Sequence, residues 1–272
     1  MILQEKLVMS NGMEIPKLAL GTWQISNEEV VGAVKAALSM GYRHIDTAAA
    51  YGNEEGVGQA LAESGIDRKD IFLTTKVPAE IKTYEGAKES IEASLKNLGT
   101  DYIDLMLIHA PRPWSEMHAG ATHFYYEENA EVWKAIEEAH KEGKLRAIGV
   151  SNFEISDIEN LLAHEASVPM ANQIRVHVGH VPQELIDYCN SKNILVEAYS
   201  PNATGRLINN PAVVEMAAKY GVSSAQLAIR FDLQLGLLPL PKSRHEEYIR
   251  QNAEVDFVIS DEDMQILLQV QE

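Results

Sequence analysis

Short apolar runs alternate with longer amphipathic segments along the whole chain. The runs are of strand length and mostly apolar throughout, which is typical of strands buried on both faces of a parallel sheet. They are Lys17–Thr22, Tyr42–Asp46, Ile71–Lys76, Ile103–His109, Arg146–Ser151, Met170–Ile174, Ile194–Tyr199 and Leu235–Leu240. Eight strands that alternate with helices predict right-handed crossovers and closure into a (β/α)8 TIM barrel. We therefore expect one barrel domain over residues 1–272.

The segments between the strands carry recognisable helix ends. Capping boxes are expected where a serine is followed three residues later by Glu or Gln. The three such pairs are Ser26 with Glu29, Ser156 with Glu159, and Ser223 with Gln226. Glycines that can adopt a left-handed conformation stand after four of the segments, at Gly41, Gly65, Gly99 and Gly143. These signals place helices on the outside of the predicted barrel.

The first residues depart from this alternation. Asn11 and Gly12 lie between alternating apolar residues, and this dipeptide is the strongest short signal for a β-hairpin. A hairpin that precedes the first barrel strand is expected to close the bottom of the barrel. The long segment Ala110–Asn129 is a βα connection, and such loops usually shape the functional site.

Composition and charge narrow the possible partners. The 272 residues include 23 Lys and Arg against 40 Asp and Glu, a formal net charge of −17. This balance argues against nucleic acid or an anionic membrane as a partner, because both favour a basic face. The single cysteine, Cys189, suits a reducing compartment, and the first residues do not resemble a secretion signal. We therefore expect a cytoplasmic protein.

Polar side chains close seven of the eight predicted strands. They are Asp46, Lys76, His109, Ser151 with Asn152, Gln173, Tyr199 and Lys242. The carboxyl ends of barrel strands share one face, where active sites of this fold lie. The pattern therefore predicts a carboxylate, an ammonium group and an imidazole at one mouth.

The chemistry of this mixture favours proton transfer to a carbonyl oxygen. Asp46 and Lys76 should pair, because neither remains charged alone in a poorly solvated site. Tyr51 follows on the same loop, and the nearby ammonium should lower the pKa of its phenol towards neutrality. His109 can orient a substrate oxygen towards this phenol. Together they suit carbonyl reduction with the hydride supplied by a cofactor.

Purely structural explanations are also open for these candidate site residues. Asp46 and Lys76 could form a purely structural ion pair, and His109 could be a hydrogen-bonded core histidine. His177 and His180 have a spacing that invites a metal site, but without a nearby third ligand they are interpreted as loop histidines. No metal is therefore expected. Trp23, which follows the first strand, is interpreted as a pocket wall.

The chain resembles the aldo-keto reductases over nearly its whole length. Four motifs carry the resemblance in the order typical of the family. They are Asp46-Thr47-Ala48-Ala49-Ala50-Tyr51-Gly52-Asn53-Glu54, Gly149-Val150-Ser151-Asn152-Phe153, Ala198-Tyr199-Ser200-Pro201 and Leu240-Pro241-Lys242-Ser243. The resemblance implies a catalytic tetrad of Asp46, Tyr51, Lys76 and His109, with Tyr51 as the general acid in reduction.

The resemblance also implies a nicotinamide cofactor and assigns residues to it. Ser151, Asn152 and Gln173 would hold the carboxamide, and Tyr199 would stack on the ring. Ser200, the next residue in the chain, is also assigned to cofactor binding. Lys242 and Ser243 would meet the adenosine 2′-phosphate or the pyrophosphate, and Asn252 would meet the adenine. Because no G-x-G-x-x-G lies between a strand and a helix, a Rossmann site is a poor alternative.

Departures from the family pattern affect the cofactor and substrate predictions. Tyr248 stands where an arginine often binds the 2′-phosphate, so Arg244 is the candidate replacement, and NADPH is favoured with NADH or dual use open. Ala110 replaces a usual tryptophan beside His109 and should open the pocket, which Trp114 would partly refill. We expect small aldehydes or ketones, including dicarbonyls or keto-sugars, as substrates. One alternative is a non-catalytic, nucleotide-binding redox sensor, and another is a barrel isomerase or lyase without nicotinamide.

Overall fold

The computed structural model describes residues 1–117 and 123–271. Over these ranges strands and helices alternate in the predicted order. The strands are β1 Lys6–Val8, β2 Glu14–Pro16, β3 Leu20–Gly21, β4 His44–Asp46, β5 Phe72–Val77, β6 Ile103–Ile108, β7 Leu145–Ser151, β8 Ala171–Arg175, β9 Leu195–Tyr199 and β10 Leu238–Leu240. The α-helices are α1 Asn27–Ser39, α2 Glu54–Glu63, α3 Tyr84–Leu98, α4 Trp114–Met117, α5 Tyr126–Lys141, α6 Ile155–Ala163, α7 Gln183–Ser191, α8 Pro211–Tyr220, α9 Ser224–Gln234, α10 Glu246–Ala253 and α11 Asp261–Leu268.

Strands β3 to β10 form one parallel sheet in chain order. The first and last strands of this sheet approach each other, because the Gly21 N–H donates to the Pro241 carbonyl at 2.9 Å and Gly21 forms a parallel bridge with Lys242. The barrel is thereby nearly closed, with helices between its strands. The predicted TIM-barrel fold is confirmed.

The N-terminal hairpin lies at the amino-terminal end of the barrel. Strands β1 and β2 pair antiparallel, and the Asn11 Oδ1 atom accepts from the Met13 N–H in the turn between them. Met9 and Ile15 are buried in one cluster with side chains of the barrel strands, such as Leu105. The predicted hairpin and its position are confirmed.

Most helix ends follow the sequence signals. Ser26 caps α1, and Ser223 caps α9 in a capping box. The predicted box at Ser156 is wrong, because helix α6 begins at Ile155, two residues earlier than a Ser156 cap implies, and Ser156 lies inside its first turn. There the Glu154 N–H donates to the Asp157 side chain at 3.0 Å, so an acidic pair replaces the predicted serine cap.

Strand lengths differ from the predicted runs at both ends of the sheet. Strand β3 contains only two residues, and β10 begins at Leu238 rather than Leu235. Leu235 instead ends helix α9, since its N–H donates to the Phe231 carbonyl. Within the described ranges, no helix is both long and apolar enough to cross a membrane.

Candidate active site

Asp46 and Lys76 form a buried ion pair at the carboxyl ends of β4 and β5. The Lys76 Nζ atom lies 2.8 and 2.9 Å from the two carboxylate oxygens and donates to the Thr47 carbonyl at 2.8 Å. Lys76 is fully buried. Burial lowers the pKa of the ammonium, but the charge and hydrogen bond of Asp46, together with the Tyr51 and Glu197 side chains, outweigh this effect and the net pKa is raised. Lys76 is therefore a cation held beneath the mouth of the barrel.

Tyr51 lies in the short 3-10 turn Ala49–Tyr51, directly after β4. The Lys76 Nζ atom is 5.2 Å from the centroid of its ring. The expected lowering of the Tyr51 pKa is wrong in its net direction. Lys76 does lower the pKa, but burial raises it more, so the net pKa lies above the usual value. Tyr51 therefore remains a neutral phenol, which is the form that donates a proton.

His109 follows β6 and faces Tyr51. The two ring centroids are 5.5 Å apart with the rings at 69°. Burial, assisted by the positive charge of Lys76, lowers the pKa of His109 to about 3. The imidazole is therefore neutral near neutral pH and has one N–H to donate and one nitrogen to accept.

A second group of predicted residues forms a hydrogen-bonded wall beside the tetrad. The Tyr199 hydroxyl donates to Asn152 Oδ1 at 2.7 Å, and Asn152 Nδ2 donates to the His109 carbonyl and to Ser151 Oγ, both at 3.0 Å. Ser151 Oγ in turn donates to the Gln173 carbonyl at 2.8 Å. Asn152 has a left-handed φ of 60°, a conformation that asparagine tolerates better than most residues. These bonds fix the Tyr199 ring at the pocket edge.

A pocket of about 860 Å³ joins these two groups. The predicted site residues that line it are Asp46, Tyr51, His109, Ser151, Asn152, Gln173, Tyr199, Ser200, Lys242, Trp23 and Trp114. Arg175 and Arg206 also line it and were not among the predicted site residues. Arg206 belongs to a loop after β9, where no periodic signal marks a role. The pocket therefore combines an aromatic, proton-donating end with several cationic side chains.

Ala110 does not open the pocket as expected. It is fully buried, and its carbonyl oxygen accepts from the Lys82 Nζ atom at 3.1 Å. Trp114, at the start of α4, stands beside His109 instead, with the ring centroids 5.1 Å apart and the rings perpendicular. An aromatic wall is thus supplied from four residues further along the loop. Residues 118–122 of the same loop lie outside the described ranges.

Of the residues predicted for the adenosine end, Lys242 lines the pocket, whereas Ser243, Arg244 and Asn252 lie outside its lining. Ser243 is nearly buried and accepts from the His245 N–H at 3.1 Å, and Asn252 is buried in α10. Arg244 is half-exposed and paired with Glu29 of helix α1, with its Nη1 atom 3.1 and 3.2 Å from the two carboxylate oxygens. Tyr248 is exposed and contacts the His245 ring edge-on.

Glu197 is a functional candidate that the sequence reasoning missed. It is fully buried within β9, and its Oε2 atom accepts from Gln173 Nε2 at 2.8 Å. Burial and the Asp46 charge raise its pKa to about 7. The available signal was a charged residue in the middle of a strand otherwise predicted to be apolar.

His177 and His180 stack on each other with centroids 5.2 Å apart. Across residues 1–117 and 123–271, no group of three or more His, Cys, Asp or Glu side chains is arranged to hold a metal ion.

Known proteins similar to this chain share both its sequence and its fold. The sequence profile of the Aldo/keto reductase family matches residues 17–272. A glyoxal reductase of Bacillus subtilis is 41% identical over 264 residues, which cover 96% of this chain and 91% of that protein. The crystal structure of an aldo/keto reductase from Brucella melitensis superposes with a TM-score of 0.89 at 39% identity and covers 97% of both chains. A Bombyx mori aldo-keto reductase in complex with NADP superposes with a TM-score of 0.86 at 34% identity, covering 97% of this chain and 92% of that one.

Proposed function

The chain belongs to the aldo/keto reductase family, and on this premise we propose that it reduces small aldehydes and ketones with NADPH, with Tyr51 as the proton donor. Members of this family use nicotinamide cofactors, and the chain is an oxidoreductase that acts on carbonyl and alcohol groups. The assignment of individual residues and of NADPH is our proposal. The non-catalytic alternative is not favoured, since a binding role alone does not require a buried Lys76 beside a neutral Tyr51.

The observation that carries the proposal is the arrangement of four side chains at the pocket floor. Tyr51, His109 and Asp46 line the pocket, and Lys76, paired with Asp46, lies with its Nζ atom 5.2 Å from the centroid of the Tyr51 ring. A proton donor, an orienting imidazole and a fixed positive charge therefore converge on one point. This is the set of groups that a developing alkoxide requires.

The proposed reaction follows from the protonation states of these groups. When bound, the nicotinamide cofactor supplies a hydride to the carbonyl carbon. Tyr51 donates its hydroxyl proton to the carbonyl oxygen, and the resulting phenolate is stabilised by the charge of Lys76. Neutral His109 donates an N–H to the same oxygen and so orients the carbonyl. Asp46 keeps Lys76 protonated and in place.

The residues present fit a nicotinamide dinucleotide. The Gln173 amide, the Ser151–Asn152 pair and the Tyr199 ring lie together on one wall, where they would hold the nicotinamide. Lys242 lines the same pocket and would approach the phosphates. Burial first and the nearby Arg244 second lower the pKa of Lys242, so two neighbouring cations are available for a 2′-phosphate. This pair favours NADPH over NADH.

The proposed substrates are small carbonyl compounds, with dicarbonyls as the first candidates. A relative 41% identical to this chain is a glyoxal reductase. The Trp23 and Trp114 side chains supply an aromatic wall near the proposed proton donor. We also propose that residues 1–272 act as one barrel domain and that the protein works in the cytoplasm.

The first test is cofactor oxidation with a panel of carbonyl compounds. We expect NADPH to be oxidised at 340 nm with glyoxal-type dicarbonyls and small aldehydes, and more efficiently than NADH. Absence of oxidation with every compound, despite cofactor binding, would contradict a reductase and support a binding role.

The second test is Tyr51→Phe, which removes the proposed proton donor. We expect kcat to fall by about 10² to 10⁴, as is usual when a general acid is lost, with NADPH affinity nearly unchanged. Tyr188→Phe is the matched control, because the Tyr188 hydroxyl bonds Glu159 on the outer helices. Turnover near the wild-type rate in Tyr51→Phe would rule out the proposed role.

A further inference from the structure

Glu197 is an ionisable side chain buried in the packed interior of the barrel, where apolar residues are usual. It lies in the middle of β9, in register with Gln173 of β8 on one side and Leu238 of β10 on the other. It is fully buried. Of its two carboxylate oxygens, Oε1 is buried without a hydrogen-bond partner among the described residues. A second carboxylate, Asp46, lies close enough to raise its pKa.

An apolar side chain would be more stable in this place. Removing a carboxyl group from water is unfavourable unless its polar atoms are paired, and a neighbouring negative charge adds to the penalty. Replacement of buried charged groups by apolar residues of similar volume is often neutral or stabilising. Packing therefore does not account for Glu197, whose side chain interacts with the charge of Lys76 and accepts the hydrogen bond from Gln173.

The Gln173 amide nitrogen is held between two acidic side chains. Its Nε2 atom donates to Asp46 Oδ2 and to Glu197 Oε2, both at 2.8 Å. An amide nitrogen has two hydrogens, so these two acceptors use its full donor capacity. The contacts also determine which end of the amide is nitrogen, because an oxygen in that position would face two acceptors. The Gln173 oxygen is thus the atom left to face the pocket.

We propose that Glu197 is a positioning residue that holds the Gln173 amide with its oxygen towards the nicotinamide carboxamide. The inference rests on the proposed function, in which Gln173 holds that group. Asp46 alone leaves the second amide hydrogen unpaired, so the amide can rotate and present a donor to the carboxamide NH₂. The nicotinamide carboxamide then loses one of the contacts, beside those of Ser151 and Asn152, that decide which face of the ring points to the substrate.

This role requires an acceptor oxygen rather than a negative charge. A carboxylate and a neutral carboxylic acid both offer one, and so does an amide. Glu197→Gln therefore preserves the contact with Gln173, whereas Glu197→Leu removes it and keeps a similar volume. The two variants separate the proposed positioning from a purely electrostatic role.

The experiment compares Glu197→Leu, Glu197→Gln and a matched control, Asp232→Asn. Asp232 is a fully buried acid in α9 outside the pocket lining, so its variant tests loss of a buried carboxyl group elsewhere in the barrel. We expect Glu197→Leu to lower kcat by about 10- to 100-fold, in keeping with the sensitivity of hydride transfer to small misplacements. NADPH affinity should change less than about threefold and the melting temperature should not fall, because the phosphate contacts and the packing remain. Glu197→Gln should keep kcat within about threefold of the wild type.

Stereochemistry provides a readout that a structural role would not change. With NADPH deuterated on one face of C4, the wild type should transfer label from a single face. Glu197→Leu should transfer from both faces, since the carboxamide is no longer fixed. Glu197→Gln and Asp232→Asn should retain the wild-type pattern.

Several results would overturn the inference. They are an unchanged kcat and unchanged facial selectivity in Glu197→Leu, an equal loss in Glu197→Gln, or a loss of activity accompanied by a lower melting temperature. If the wild type reduces no carbonyl compound, the proposed function fails instead. In that case a crystal structure of Glu197→Leu still tests the positioning role. A rotated Gln173 amide supports this role, and an unmoved amide overturns it.

Discussion

At the scale of single residues, burial determines the protonation states of the candidate catalytic groups. Tyr51 lies near a lysine that favours its phenolate, yet burial raises its pKa above the ordinary value. His109 has its pKa lowered to about 3 by burial first and by Lys76 second. Both groups are therefore neutral hydrogen-bond donors in the proposed reduction, and the ammonium of Lys76 is the permanent charge.

These protonation states predict a flat pH profile for reduction. His109 gains a proton only as the pH falls towards 3, and Tyr51 loses its proton only above its ordinary pKa of about 10. Glu197, whose pKa is about 7, titrates in the physiological range but offers Gln173 an acceptor oxygen in both of its forms. We therefore expect kcat/KM for reduction to vary less than about threefold between pH 5.5 and 8. The measurement is initial rates at constant ionic strength with a fixed dicarbonyl substrate. An acidic limb near pH 6.5 that disappears in His109→Asn would contradict this prediction.

At the scale of elements, the first turn of helix α1 approaches the proposed 2′-phosphate site. The Glu29 carboxylate pairs with Arg244, and its charge partly offsets the lowering of the Lys242 pKa by burial and by Arg244. It thus lies near both cations that we assign to the phosphate. Because the Glu29 carboxylate and the 2′-phosphate would compete for Arg244, Glu29 is expected to weaken the binding of NADPH.

Glu29→Gln should therefore strengthen NADPH binding. The pair is half-exposed, so the effect is modest, and we expect the dissociation constant for NADPH to fall about two- to tenfold at low salt. NADH lacks the 2′-phosphate, and its affinity should change little. Glu28→Gln is the control, because Glu28 carries the same charge on the same turn. An equal gain for both cofactors, or for the control, would argue against the competition.

At the scale of the whole molecule, not every buried acid serves the site. Asp232 in α9 is fully buried, and neither of its carboxylate oxygens has a hydrogen-bond partner among the described residues. Burial raises its pKa well above the ordinary value. The folded barrel therefore favours the neutral acid, whereas the unfolded chain ionises this group above about pH 4.

Asp232→Asn should stabilise the barrel increasingly as the pH rises. In the wild type the folded state keeps a proton that the unfolded chain releases above about pH 4, so stability falls by about 1.4 kcal/mol per pH unit until the folded-state pKa is reached. The variant has no ionisable group at position 232, so its stability does not fall with pH for this reason. Urea unfolding at pH 4.5, 6 and 7.5 should show a growing difference in the free energy of unfolding. The exposed Asp67→Asn is the control, and a constant difference for Asp232→Asn would contradict a buried neutral acid.

Local signals in the sequence determined the architecture and most of the site. Strand periodicity, helix caps and the Asn11-Gly12 turn depend on neighbouring residues, so they can be read without coordinates. The same holds for the polar strand ends, because parallel strands in a barrel present their carboxyl ends on one face. Asp46, Lys76 and His109 therefore came together as predicted.

Only the tertiary structure decided the properties that depend on distance and burial. The net direction of the Tyr51 pKa depends on how deeply its hydroxyl is buried. The contact of Trp114 with His109 depends on the path of the loop after β6. The Gln173–Asp46 contact joins residues 127 positions apart, and Glu29 with Arg244 are 215 apart. No local pattern encodes such pairs. The sequence by itself determined which groups meet at the barrel mouth. The packing decided their protonation and orientation, and which charged groups lie close enough to compete for the same partner.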